Sequence, residues 1–370
     1  MSDGRRGARR CVMNDVARTP VTADRPPEPS PDPAPGPAGG GSGITVRLLA
    51  GYALRVVLIA LGYYAGGLVG LLREVTVAGA TVTPFWPPTG VAVACLLAFG
   101  LRVWPGVALG ALLVVTGMGP LSWTALGLVA GNTLSPVLAC LLLRRAGFRA
   151  QVDRLRDGVS LVFLGALLGM LVSPTVGTFM VVAGGGLSPD DFWPVWAAWW
   201  AGDAVGVLVV TPLLLALRRP GRPRDAAQIA EAAALGAATI LLALVVTRSP
   251  VSLLFLVYPL LVWAALRFQL VGGAVCTAVL SLCATWAATD PAGVFARQNL
   301  FEGMITLQAL NGSAALTALL LAAVTAERRS TQRRIAAACE DLAEMVDVLA
   351  PQGRGPRSFP AGSRTGQRQG

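Results

Sequence analysis

One acidic side chain in this sequence stands where acids are costly. Asp203 lies near the middle of the apolar run WPVWAAWWAGDAVGVLVVTPLLLALRR (193–219). At bilayer depth an ionised Asp costs at least about 2.5–3.5 kcal/mol on insertion scales, so it is retained for a partner or a task. Three chemistries fit. Arg55, at a similar depth in the first apolar run, would pair with it as a structural strut. A ligand- or proton-linked sensing group is the second, and a neutral carboxyl hydrogen-bonded to backbone is the third. Asn132 in the fourth run reaches a comparable depth, and Asn311 in the last run suits a hydrogen bond between helices. Trp199 and Trp200 give Asp203 large flat neighbours, and Gly202 and Gly206 form a small-xxx-small face beside it.

A second candidate is the run Trp86-Pro87-Pro88-Thr89-Gly90, echoed eighteen residues later by Trp104-Pro105-Gly106. Eighteen residues of helix span about 27 Å, so each Trp could anchor one membrane interface, with Pro pre-set for a helix's first turn. The alternative is that Pro87-Pro88 interrupt the backbone within the membrane. Irregular backbone there survives only when buried in protein or facing a wet cavity, and it would then wall a pocket open to the outside.

Much other chemistry is excluded. The chain has no His, and all thirty basic residues are Arg. His-based metal sites, Ser-His or Cys-His pairs and a phospho-accepting His are therefore absent. The six cysteines show no CxxC spacing, and Cys276 and Cys283 share a helix face without a third ligand. No P-loop, nucleophile elbow or HExxH occurs, so no metal, cofactor or catalytic activity is expected. The net charge of +10 does not imply nucleic acid, because the Arg residues fall in short clusters between apolar runs.

The elements that must position these residues are membrane helices. Hydrophobic residues make up 54% of 370 and charged residues 14%, with mean hydropathy +0.62. Ten apolar runs succeed one another: 44–71, 87–101, 103–119, 121–143, 157–184, 192–217, 229–247, 250–266, 268–289 and 303–326. Most reach the roughly 20 residues needed to cross a core of about 30 Å. Arg clusters then alternate with nearly Arg-free loops, as the positive-inside rule demands. The expectation is an all-α polytopic transmembrane bundle of about ten spans, both termini cytoplasmic.

Residues 1–43, rich in Pro, Gly and Arg, read as a disordered tail, as do 351–370. The transmembrane core spans 44–326. Ile335, Leu342, Met345, Val346 and Leu349 form a stripe on a short cytoplasmic helix over 327–350. That helix could leave the membrane and pair with a cytoplasmic partner or a second copy of the chain. Residues 327–370 are too few for an output domain of about 100 residues, so no output enzyme is expected within them.

The blocks Trp86–Ala92, Phe99–Gly106, Gly131–Leu134, Trp199–Gly206, Thr211–Leu213, Pro259–Phe268 and Ala326–Arg329, in this order, resemble the first membrane-associated sensor family (the MASE type-one domain). The resemblance covers about 45 to 334. It implies a bacterial inner-membrane sensory module that usually precedes kinase, cyclase, phosphodiesterase or phosphatase domains. The loop Asp290–Phe295 departs from the Gly-Pro-Phe turn more usual in the family. The reading is thus a plasma-membrane receptor relaying a stimulus to a separate output partner through its last span. On it, Trp86, Pro87, Pro88, Gly90, Trp199, Trp200, Gly202 and Asp203 bound the sensing pocket. The rival reading is a small-solute permease, which ten spans, broken helices and a mid-membrane carboxylate would also suit.

Overall fold

The computed structural model describes residues 41–218, 225–290 and 293–349. The tail segments 1–40 and 350–370 lie outside them. The first helix, α1 (Gly41–Leu71), starts within the stretch read as tail, a shift of the size by which helix ends commonly differ. The bundle itself runs from Leu49 onward.

After α1 come a two-stranded antiparallel hairpin, β1 (Val75–Val77) and β2 (Ala80–Val82), then α2 (Pro87–Phe99), α3 (Trp104–Met118) and α4 (Trp123–Arg145). Next, α5 (Leu155–Ser160) runs through a π-helical stretch, Leu161–Leu168, and a 3₁₀ turn into α6 (Val172–Ala183). The chain closes with α7 (Phe192–Leu217), α8 (Ala226–Arg248), α9 (Val257–Thr289) and α10 (Leu300–Leu349).

Eight helical stretches among the described residues are long and apolar enough to cross a membrane. The difference from ten falls on three runs. α2 has 13 residues, about 20 Å of rise, short of the bilayer core. The eighth and ninth runs count as one stretch only because they follow each other without a loop: α9 is two helices meeting at Gln269 (φ 55, ψ −137), and Leu261 and Leu280, one from each, wall the same small cavity. Trp86 and Trp104 do not bracket one helix: α2 stops at Phe99 because Gly100 adopts φ 91, and Trp104 opens the next helix.

Two contact sets fix the ends of the bundle. At one end the Tyr52 hydroxyl donates to the Arg102 carbonyl (3.0 Å) and Arg218 to the Ala98 carbonyl (2.9 Å). There too the Leu155 N–H donates to Glu327 (3.0 Å) and Arg329 to the Leu266 carbonyl (2.9 Å). Arg267 pairs with Glu231 at 2.7 Å. At the other end Arg73 lies 3.6 Å from the Trp286 ring centre. The first end collects the Arg-rich turns, so the positive-inside rule predicts that it faces the cytoplasm. Arg145→Cys at the end of α4 should react with an impermeant maleimide only once the cytoplasmic face is opened. Labelling of intact cells would overturn this threading.

Glycine faces let the helices close up. A Cβ on Gly66 would press on Pro87 and Pro88, on Gly110 against Tyr63, and on Gly169 against Ala139. Backbones at this separation pack through small residues, as membrane helices do in the absence of a hydrophobic drive between them.

Candidate functional site

α2 is about two-thirds of a span long, so its N-terminus opens inside the bundle. The backbone from Thr83 to Trp86 therefore descends from the β1–β2 hairpin as an irregular strap at membrane depth. Such a strap must satisfy its polar groups within the protein, and it does so on two sides. Toward α7, the Trp86 N–H donates to the Gly202 carbonyl (3.2 Å). Thr89 Oγ1 donates to the carbonyls of Trp86 (2.8 Å) and Asp203 (3.1 Å). Toward α10, Gln308 Nε2 donates to the Pro84 carbonyl (2.7 Å).

Outside the strap lies a cavity of about 80 Å³ walled by Thr81–Thr83, Trp86, Asn132 and Trp199, with Val114 and Met118 of α3. Its wall is mostly apolar with one amide. Asp203 is one turn beyond Trp199 on the same α7 face and is fully buried. Neither carboxylate oxygen has a hydrogen-bond partner; its polar neighbour is Ser173, outside bonding geometry. Tyr63, beside Trp86 and within electrostatic reach of Asp203, donates its hydroxyl to Asn132 Oδ1 at 3.4 Å. The Trp86 indole N–H and the Ser173 and Thr178 hydroxyls are also buried and unbonded. Buried polar groups usually cost about 1–3 kcal/mol each when left unpaired, so Asp203 and its neighbour Ser173 are costly where they stand.

The structure sorts the residues singled out from sequence. Trp86, Trp199 and Asn132 share the cavity wall. Pro87 and Pro88 pack on α1 at Gly66, and Gly90 meets Gly206, while Gly202 meets the Thr83 carbonyl. Trp200 points elsewhere: its indole N–H donates to the Leu167 carbonyl (2.9 Å) and its ring stacks on Trp196. The π-helical stretch, with its altered carbonyl pairing, supplies that acceptor.

Two polar pairings expected from sequence do not form. Arg55 is exposed on α1: it continues the stripe of Ile59, Tyr63 and Gly66 but lies toward the Tyr52 end, about 16 Å along the helix from Gly66, which is level with Pro88, Thr89 and Asp203; no Arg55–Asp203 ion pair exists. Asn311 is fully buried in α10, yet neither amide atom bonds across to another helix. Tyr63 and Gln308 escape sequence reasoning, since a lone polar side chain in an apolar run carries no periodic signal. Among the described residues no group of three or more His, Cys, Asp or Glu could hold a metal.

The helical architecture and the Trp-Pro strap agree with a comparison against known families. The model of the MASE1 family matches residues 55–329, three-quarters of the chain. The chain belongs to the MASE1 family. MASE1 is an integral membrane sensory domain, so the protein is a multi-pass membrane sensor. This MASE1 chain is also similar to the probable diguanylate cyclase DgcE of Escherichia coli strain K12, 27% identical over 211 residues. That alignment takes in 52% of this chain and 18% of the relative, so the MASE1 chain spans under a fifth of that protein's length. No solved structure matches it.

Proposed function

We propose that this MASE1 domain senses a small ligand or charge change at the cavity between Trp86 and Trp199 and passes it through α10 to a cytoplasmic output partner. The observation that carries the reading is the strap. Thr83–Trp86 forms part of the cavity wall, touches the backbone of the Asp203 helix, and is bonded by Gln308 to the helix that leaves the bundle. A ligand shifts such a system only if it prefers one arrangement over another. The unbonded Trp86, Ser173 and Asp203 groups give it something to prefer. The relative's printed name supports an output of the cyclase type, and the domain itself supplies no catalytic chemistry. The exposed apolar residues Ile335, Leu342, Met345 and Val346 on α10 offer that partner, or a second copy, a docking stripe.

Cys339 reports on this helix: it is the exposed cysteine among the described residues. Asp203→Asn should leave the protein in the membrane at wild-type level and change the maleimide labelling rate of Cys339 severalfold. The background should carry Cys11→Ser. An unchanged rate would make Asp203 a packing residue only. A permease finds less support, and proteoliposome uptake above empty vesicles would reinstate it.

A further inference from the structure

We infer that this domain holds a second ligand site at its cytoplasmic end, for a phosphoryl anion. It is separate from the outer cavity and does not depend on it. A cavity of about 750 Å³ opens there between the α4–α5 turn, the end of α7, the start of α8, the break in α9 and α10. That volume is typical of sites for small organic ligands. Its lining mixes apolar side chains such as Leu215, Phe268 and Leu270 with Arg218, Arg267, Arg329, Arg333, Gln228 and Gln269.

The charges do not cancel. Two carboxylates share the wall, Asp153 and Asp225. Asp153 is engaged by Arg149 at 3.9 Å, and Asp225 caps α8 by accepting the Gln228 N–H at 2.8 Å. Arg267 is neutralised by Glu231 at 2.7 Å. Arg218 and Arg329 are held by carbonyls of neighbouring helices, which orients them without neutralising them. Arg333 is exposed with no partner among the described residues. Three guanidinium groups thus line this cavity against one uncompensated carboxylate, that of Asp225, and each offers further N–H donors in the forked geometry that suits phosphate oxygens.

Backbone strain marks the same place. Among the described residues three non-glycine residues have positive φ, and two of them, Val152 (φ 49) and Gln269 (φ 55), wall this cavity. A branched residue such as Val is rarely found there, and strain of this kind concentrates at ligand clamps. Because Arg329 and Arg333 belong to α10, an anion bridging them to Arg218 would tie the departing helix to α7. The site therefore sets how freely that helix moves. Its chemistry fits the headgroup of an inner-leaflet anionic lipid or a soluble phosphate compound.

The test uses the full chain in nanodiscs, with a fluorophore on Cys339 in a Cys11→Ser background. In phosphatidylcholine discs, inorganic pyrophosphate should change the fluorescence saturably. Replacing phosphatidylcholine by phosphatidylglycerol should mimic that change if the lipid headgroup is the source. Arg329→Gln with Arg333→Gln should raise the half-saturating concentration, or the required lipid fraction, roughly tenfold. Arg328→Gln with Arg334→Gln removes the same charge away from the cavity and should shift it less than about twofold. Arg333→Gln alone, at an exposed and unbonded side chain, should give a partial loss and guards against misfolding. A response to neither anion, or equal losses in both double variants, overturns the proposal.

Discussion

Gly206→Ala is expected to lower the stability of the solubilised protein by about 3 kcal/mol, the upper part of the range for overpacking a tight core. The Cβ it adds would overlap the Trp86 carbonyl oxygen and crowd Thr89 Oγ1. Neither side can yield cheaply. Across the crossing, Gly90 already meets the Gly206 carbonyl, and Thr89 is fixed by bonds of 2.8 and 3.1 Å to Trp86 and Asp203. The helices must separate, and the strap hydrogen bonds to α7 go with them. Gly236→Ala on α8 is the control: nothing lies within 4 Å of its added Cβ, so helix propensity should leave stability equal or raise it by up to about 1 kcal/mol. Thermal unfolding followed by size-exclusion fluorescence compares the two. Equal midpoints would mean that the α2–α7 crossing is looser than described.

Gln308→Leu is expected to disconnect the outer cavity from the cytoplasmic helix while leaving the bundle assembled. Its Nε2 holds the Pro84 carbonyl at 2.7 Å, and its Oε1 is buried without a partner. Leu removes the unpaired oxygen together with the donor, so the net stability cost should stay within the roughly 1–3 kcal/mol of an unsatisfied acceptor. The effect on coupling should be larger. In a double-mutant cycle, the change in Cys339 labelling produced by Asp203→Asn should fall to less than about twofold when Gln308→Leu is present, because contacting or linked positions fail to add. Full additivity of the two substitutions would place the transmission route elsewhere.

Much of this architecture is legible in the sequence because a bilayer permits few solutions. Length, hydropathy and the sidedness of Arg specify helices and their ends before any packing is considered. The Trp-Pro-Pro run is readable too, since proline cannot donate to a ladder and two in succession signal a helix start. The failures come from packing. A count along each run gives neither the relative depth of two helices nor the face that meets a neighbour. Arg55 shares a face with the glycines of α1, yet Asp203 packs level with Gly66, eleven residues further along, because α2 begins inside the bundle and brings Thr89 there. Trp200 is drawn off by a carbonyl that exists because of a π-helical stretch, which no periodicity announces. Arg218, Arg329 and Arg333 each look like ordinary interfacial charges, and only the fold gathers them around one space. Tyr63 and Gln308 are single polar letters in apolar runs, indistinguishable there from core filler.

The 50 residues of α10 form a rod of about 75 Å, and from Gln308 to its last described turn the distance is roughly 60 Å. Stiffness over that length converts angle into travel. A tilt of about 5° pivoting at Gln308 would sweep the far tip sideways by about 5 Å, one helical pitch. Rearrangements of a few tenths of an ångström around the strap, too slight to open or close anything in the membrane, are therefore enough to swing the distal end into or out of register with whatever waits below.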